Sequence, residues 1–532
     1  MSKPDAPTPI TGGRALVHSL LHNDVTVCFA NPGTSEMHFV QALDEASDMR
    51  SILCLFEGVA TGAADGYYRM AGKPACTLLH LAGGLGNGFA NLHNGAKAQS
   101  AIINIVGDQA TYHQCYETPL RGDVTGLANS ISDWVRTAAH AGCVAQDTAD
   151  AIAAATSNGG QIATLILPAD TAWNSCQPLT PKARPPAALA RARDAQIDAV
   201  AEQLHHAHTG VVLGQRALTA ENLALVGKIA AKVPCQFFMP LLCARFLRGR
   251  GNISPVRLFY PGEESRAAMQ DCRALVLLGA DRPANFFAYP DTPNLPEPDG
   301  IPITDLCTPS MDITHSLQAL CDRLGANMSV PALINAGPLL PMPGRDAPWS
   351  LKTIGAVIAA SLHEGSIVIE EAITSGRDFQ AIFACAASHE VLSLTGGAIG
   401  WSLSAAIGAA IAAPDAKVVT LTGDGSAQYT IHALWTMARE GLDITAIIFV
   451  NDQYRILQGE LARVQAGSPG RNAFSLLELD QPKIDWVAQA KTYGVTGISV
   501  ANTAELTDAL TYAYKTPGPH LIAVLVQDCP IA

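Results

Sequence analysis

Charge is scarce in this chain. Charged residues make up 15% of 532, the net charge is −13, and no long run of lysine or arginine occurs. That balance argues against a nucleic-acid partner and against a polybasic membrane anchor. No stretch of about 18 uninterrupted apolar residues is found, so no membrane span is expected. The opening MSKPDAPTPITGGR lacks the apolar core of a signal peptide, and a cytoplasmic location is expected. Thirteen cysteines are present, but they are scattered: the closest pair, Cys235 and Cys243, is eight residues apart. No zinc-type or CxxC spacing exists, and the cysteines read as small buried hydrophobes of a reducing compartment.

What is present is a large apolar fraction, 48%. One core stops growing near ~250–300 residues, so two or three domains are expected. Two proline-rich stretches, CQPLTPKARPPAALARA (176 to 192) and PALINAGPLLPMPGRDAP (331 to 348), read as linkers. They suggest domains over 1–180, 190–332 and 348–532. Each block alternates short apolar runs with helical patterns. Examples are SAIINIVGD (100 to 108), RALVLLGAD (273 to 281) and KVVTLTGDG (417 to 425). Continuous Val/Ile/Leu runs between helices predict an α/β fold of three doubly wound parallel sheets. Ligands of such sheets bind at the carboxyl ends of the strands.

Two of those strand ends carry unusual residues. KVVTLT runs into Gly423-Asp424-Gly425-Ser426, and TAIIFV (445 to 450) ends at Asn451, 27 residues after Asp424. Apolar residues at 431, 434, 435 and 438 predict one helix over 427–441, which makes GDGS a strand-to-helix turn. Its glycines let a ligand approach the backbone, and its N–H groups favour an anion. Asp424 would repel a phosphate unless a cation lay between them. An Asp carboxylate, an Asn carbonyl and a nearby main-chain carbonyl form a hard-oxygen set suited to Mg²⁺ and a diphosphate.

The GDGS…NDQY pair resembles the cofactor motif of thiamine-diphosphate-dependent enzymes. The chain is similar to the group of benzoylformate decarboxylase, pyruvate oxidase and the acetolactate synthase catalytic subunit. The resemblance covers essentially the whole chain and implies pyrimidine-binding, central and diphosphate-binding domains in that order. LFEGVATGAADGYYRMAGKPA (55 to 75) sets Glu57 after a strand and before a small-residue helix. The resemblance makes it the partner of the aminopyrimidine N1′. LTGGAIGWSLSAAIG (394 to 408) implies Ile399 as the wedge beneath a bent cofactor and the Gly397 carbonyl as acceptor for its 4′-nitrogen. EEAITSG (370 to 376) implies Thr374 and Ser375 as hydroxyl donors to the diphosphate. Asp424, Asn451 and the Gln453 carbonyl would hold the metal, with Gly423, Gly425, Ser426 and Tyr454 around the phosphates. The family's sites lie between subunits, which implies a homodimer or homotetramer.

The resemblance also bears on the reaction, in which the cofactor accepts the electrons left by departing CO₂ and the resulting enamine is protonated, oxidised or added to a second carbonyl. NPGTSEM (31 to 37) and LLHLAGGLGN (78 to 87) follow benzoylformate decarboxylase, placing Thr34 and His80 over the cofactor. Imidazole titrates near neutrality, so His80 is a candidate acid/base. Where that decarboxylase has a second histidine, this chain has Phe286 and Phe287. VGDQATYHQCYETP (106 to 119) resembles instead the acetolactate synthase loop and offers Gln109 and His113, the latter equally readable as a surface residue. VVLGQRALTA (211 to 220) does not match a flavin segment, so no FAD is expected. The chain ends soon after its last apolar run, at DCPIA, which argues against an acyl-CoA substrate. The expected activity is decarboxylation of a 2-oxo acid. The alternatives are a carboligase of acetolactate-synthase type, a non-catalytic cofactor-binding paralogue and a flavin-dependent oxidase.

Overall fold

A computed structural model describes residues 8–527 apart from 207, 466, 468 and 469, together with Cys529. Residues 1–7, the first half of MSKPDAPTPITGGR, and most of DCPIA lie outside the described residues.

Three sheets carry the fold. The first is six-stranded and parallel, in the order Arg50–Leu53, Val27–Ala30, Ala75–Leu79, Ile102–Asp108, Ile162–Pro168, Trp134–Thr137. The middle sheet is five-stranded and parallel: Val256–Arg257, Gln236–Met239, Thr209–Leu213, Ala274–Leu278, Ile303–Cys307. The last has seven strands: Phe246–Arg248, His389–Ser393, Ser366–Glu371, Val418–Gly423, Ile444–Val450, His520–Leu525, Thr496–Val500. Central strands such as Ile162–Pro168 and Ile444–Val450 are buried at every position. That is what a strand covered on both faces requires, and it explains the unbroken apolar runs.

The structure departs from the sequence expectation in three places. Phe246–Arg248 belongs by sequence to the middle block, yet it pairs antiparallel with His389–Ser393 at the edge of the last sheet. Ile10–Thr11 pairs antiparallel with Ser175–Cys176 in a separate ribbon. Both are too short to show a pattern. The helix expected over 427–441 is broken: Asp424–Ala427 and Ala433–Arg439 are helical and the residues between them are turns. The break is tied down where the Thr430 hydroxyl donates to the Gly400 carbonyl at 2.7 Å.

The first and last sheets share one core, built around the helices Glu57–Ala71 and Ser402–Ala412. Small residues let the two helices approach closely. A Cβ at Gly66 would lie 2.1 Å from the Ala405 carbonyl oxygen, and one at Gly408 would lie 1.9 Å from that of Ala63. At one end of this contact lies a buried polar cluster. Arg69 donates to both carboxylate oxygens of Asp65 (2.9 and 2.7 Å), to the Ser393 carbonyl (2.7 Å) and to the Thr395 hydroxyl (2.8 Å). Trp401 Nε1 and Ser100 Oγ also donate to Asp65, at 2.6 and 2.5 Å. Cys28, Cys54 and Cys76 are buried free thiols. Among the described residues no helix is long and apolar enough to cross a membrane.

Candidate active site

Adjacent strands Ser366–Glu371, Val418–Gly423 and Ile444–Val450 run parallel, with Glu371 beside Thr422 and Gly423 beside Phe449. Their carboxyl ends therefore emerge at one edge. Asp424 begins its helix there, buried to 3% exposure. One carboxylate oxygen accepts from the Gly425 N–H at 2.8 Å; the other accepts from the N–H groups of Asn451 (2.9 Å) and Asp452 (2.6 Å). So the two predicted metal ligands are joined by a hydrogen bond between neighbouring strand ends. Asp452 takes φ 57°, turning the chain so that Asn451 Oδ1 accepts from the Gln453 N–H at 3.0 Å. Gly425 has no alternative: a Cβ there would sit 2.4 Å from the Tyr454 ring.

Burial pushes the Asp424 carboxyl up to about 6, against the pull of its three N–H donors. Among the described residues no lysine, arginine or histidine pairs with it. A buried carboxylate without a counter-ion is costly, and a divalent cation would compensate it. The donors at hand are one carboxylate and neutral oxygens of Asn451 and the main chain, a set that fits Mg²⁺ completed by phosphate and water. No cluster of three His, Cys, Asp or Glu side chains is placed to hold a metal among the described residues. Thr374 and Ser375 lie in the turn after Ser366–Glu371, with Ser375 buried.

The loop 396–400 holds the next two predicted residues. Gly397 and Gly400 have φ of 75° and 90°, which favour glycine. Asn94 stitches this loop from the first sheet's side. Its Nδ2 donates to the Ala398 carbonyl at 2.8 Å, and its Oδ1 accepts from the Gly396 and Ala398 N–H groups at 3.2 and 3.3 Å. Glu371 holds the far end, accepting from the N–H groups of Gly400, Trp401 and Ser402 at 2.5, 3.1 and 2.8 Å. Ile399 is half-buried against the shared core. The Phe286 ring closes on Gly397, where a Cβ would be 2.9 Å away.

Glu57 is the first residue of its helix and is buried; Asn87 Nδ2 donates to it at 3.0 Å. His80 precedes the helix Leu81–Lys97 at a strained junction, since Leu81 takes φ 51°. Gly84 sits between them: a Cβ there would be 3.0 Å from Glu57 Oε1 and 3.4 Å from His80 Cβ. His80 Nδ1 donates to the buried Glu36 carboxylate at 2.9 Å, which also accepts from Ser35 Oγ at 2.6 Å and from the Gly33 N–H at 2.8 Å. Thr34, two residues from Glu36, is exposed, Gln109 is half-buried, and His113 is exposed with its ring 5.5 Å from that of Tyr116. The chain thus gathers Thr374, Ser375, Gly423–Ser426 and Asn451–Tyr454 at one sheet edge. It gathers Glu57 and His80 at another. His113 is held by neither group.

Two family descriptions match this chain: the N-terminal TPP binding domain of thiamine pyrophosphate enzymes over residues 10–128, and the C-terminal TPP binding domain over 377–524. The chain belongs to the thiamine pyrophosphate enzyme family. It is 43% identical over 98% of its length, and 99% of the relative's, to the candidate acetolactate synthase large subunit IlvX of Mycobacterium tuberculosis. It is 27% identical to benzoylformate decarboxylase of Pseudomonas aeruginosa, over 96% of this chain and 97% of that one. Its fold matches the solved 4-hydroxybenzoylformate decarboxylase of Rhodococcus jostii, with a TM-score of 0.83 and 23% identity over 98% of this chain and 100% of that one.

In this thiamine pyrophosphate enzyme, sequence reasoning overlooked three features of the site. Glu36 lies inside the quoted NPGTSEM stretch, but nothing local marks it as the partner of His80. Glu371 lies inside EEAITSG, yet its three N–H donors come from residues 400 to 402. The asparagines 87, 91 and 94 form a stripe at helical spacing, with Asn91 donating to the Gly58 carbonyl at 2.7 Å. Their i, i+4, i+7 pattern was the one signal that could have found them.

Proposed function

We propose that this thiamine pyrophosphate enzyme decarboxylates a 2-oxo acid, using thiamine diphosphate held by Mg²⁺. Asp424, Asn451 and the Gln453 carbonyl would hold the metal. Thr374, Ser375 and the Gly425 and Ser426 backbone would hold the diphosphate, with Tyr454 packed on Gly425. The Gly397 carbonyl would accept from the 4′-nitrogen above Ile399. The bound cofactor supplies the electron sink for the departing carboxylate. Glu57, oriented by Asn87, would hold a proton at the aminopyrimidine N1′.

The observation that carries the decarboxylase reading is the His80–Glu36 pair. With Nδ1 engaged by the carboxylate, the imidazole is fixed in one orientation and Nε2 is left to exchange a proton with the reacting carbon. Protonation there yields an aldehyde. Thr34 and Gln109 would border the same space, and His113 would join it by movement of its exposed loop. The carboligase reading is favoured by one specific observation, the 43% identity to a relative named for acetolactate synthase. Incubating the holoenzyme with a panel of 2-oxo acids, with and without an added aldehyde, separates the two. Free aldehyde supports decarboxylation, and a coupled hydroxyketone replaces it with carboligation. The reading includes no flavin, so the purified protein should be colourless, and it takes the protein as cytoplasmic.

It also takes the working form as a homodimer or homotetramer. Within one chain Asn87 serves Glu57 and Asn94 serves the Gly397 loop. A second copy would bring its own Glu57 to this chain's Gly397 loop. The exposed Tyr112, Tyr116 and Leu120 of the 109–121 loop would be covered in such an assembly.

A further inference from the structure

The helix Arg455–Arg463 continues directly from Asn451–Tyr454. It is short, and its Leu457 is 43% exposed, so apolar burial does little to anchor it. Its ties to the rest of the molecule are polar: Arg455 donates to the Cys529 carbonyl at 3.4 Å, Arg463 lies 3.8 Å from Glu263, and Glu460 makes the closest side-chain contact. Glu460 accepts from the Tyr289 hydroxyl at 2.8 Å and from the Tyr260 hydroxyl at 3.3 Å. Both tyrosines belong to the middle block. Tyr260 follows the edge strand Val256–Arg257, and its ring lies 5.3 Å from Phe286, the ring that closes on Gly397. The Arg463 guanidinium sits 5.5 Å from the Tyr289 ring centre. Burial first, and Glu460 next, push the Tyr260 phenol well above its ordinary value, so it remains a donor at working pH.

We propose that Glu460 is a positioning residue, a clasp that binds Tyr260 and Tyr289 and thereby holds the metal-side turn 451–454 in its cofactor-binding geometry. The inference rests on the metal role proposed for Asn451 and Gln453. Only six residues separate Gln453 from Glu460, and the connection is a continuous turn and helix. The base of the turn is pinned by the Asp424 carboxylate and by the Leu477 carbonyl, which accepts from the Tyr454 N–H at 2.7 Å, while Gln458 Nε2 of the helix donates to Gln453 Oε1 at 2.8 Å; a shift of the helix would therefore act on Gln453. The clasp also joins the Asp424 corner to the Phe286–Gly397 contact, so the two halves of the cofactor's surroundings would close together.

The test uses Glu460→Ala, Glu460→Gln and the double variant Tyr260→Phe/Tyr289→Phe as full-length protein. Two quantities are read: amide hydrogen exchange of residues 451–463 in the cofactor-free protein, and the dissociation constant of thiamine diphosphate at fixed Mg²⁺. Glu460→Ala and the double phenylalanine variant should speed exchange in this segment. They should also weaken the cofactor by about tenfold, the size of one charge-assisted hydrogen bond lost. Glu460→Gln, which keeps an acceptor, should restore most of both. Unchanged exchange and affinity in Glu460→Ala and in the double variant overturn the clasp. If Glu460→Ala does not fold, the double variant decides alone. A wild-type protein that bound no thiamine diphosphate would overturn the functional reading, whereas the exchange measurement on the cofactor-free chain judges the clasp independently.

Discussion

Replacing Asp65 with asparagine keeps the shape of the side chain and removes its charge. Asp65 and Arg69 are 0% and 1% exposed at their side chains, so the guanidinium would be left in the interior without its counter-ion. Burial already pulls the Arg69 guanidinium below its ordinary value, and Asp65 is what opposes this. Breaking one side of a buried pair costs about 3–5 kcal/mol. The asparagine would also present an N–H₂ group where Trp401, Ser100 and Arg69 all donate. With an m-value of about 3 kcal/mol/M, the urea midpoint should fall by roughly 1–1.7 M. Arg69→Met should cost a similar amount, because it strips the Asp65 charge of its partner. The double variant Asp65→Asn/Arg69→Met should cost less than the sum by about 2–3 kcal/mol, the coupling of residues in direct contact. Thr395 and Trp401 flank the loop bearing Gly397 and Ile399, so thiamine diphosphate should also bind more weakly to the single variants. A fall below about 1 kcal/mol for Asp65→Asn, or strict additivity in the cycle, would refute the view that this pair within one helix is the charged centre of the polar cluster that meets Ser393, Thr395 and Trp401.

Glu57→Gln should leave the fold and the assembly intact while lowering kcat by at least ~100-fold, the scale of lost proton-transfer catalysis, and Asn87→Ala should cost about tenfold through misorientation of Glu57; steady-state kinetics with the best 2-oxo acid checks both. His389 is fully buried, and burial lowers its imidazole to about 4. The unfolded chain therefore takes up that proton first, near pH 6.5. The resulting stabilisation is complete above pH 6.5 and is lost as the pH falls toward 4, by about 2 kcal/mol at pH 5. Urea midpoints measured from pH 7.5 to 5 should show this slope, and His389→Gln should remove it. With the Asp424 carboxyl raised to about 6, Mg²⁺-dependent cofactor affinity should fall about tenfold per pH unit below that value. Calorimetry corrected for the cofactor's own phosphate titration measures it, and an unchanged affinity down to pH 5 would contradict the assignment.

Much of the molecule was legible in one dimension. Strands covered on both faces must be apolar throughout, so SAIINIVGD, KVVTLTGDG and TAIIFV announced themselves by composition alone. The Asp424–Asn451 pairing was legible because it is local in a topological sense: strand end, helical crossover, next parallel strand end. Glu57 was marked by its place between an apolar strand and a helix of small residues, and Gly66 explains the small residues by its contact with Ala405. Some edge strands were not legible, although Arg50–Leu53 at the edge of the first sheet lies within the apolar run RSILCLF. Thr496–Val500 is largely exposed, and Phe246–Arg248 is only three residues long, so neither shows the periodicity of a covered strand. Nor was the polar architecture of the site. Glu36 meets His80 across 44 residues, and Asn94 meets Ala398 across 304. A buried hydrogen bond depends on where two groups arrive in space and leaves no repeating trace in either segment. Apolar runs and their spacing were enough to mark the covered strands, the helical connections between them and the strand ends that carry Asp424 and Asn451. The pairing of Glu36 with His80, of Asn87 with Glu57, of Asn94 with the Gly397 loop and of Glu460 with two tyrosines emerged from the folded chain, because each joins segments distant in sequence.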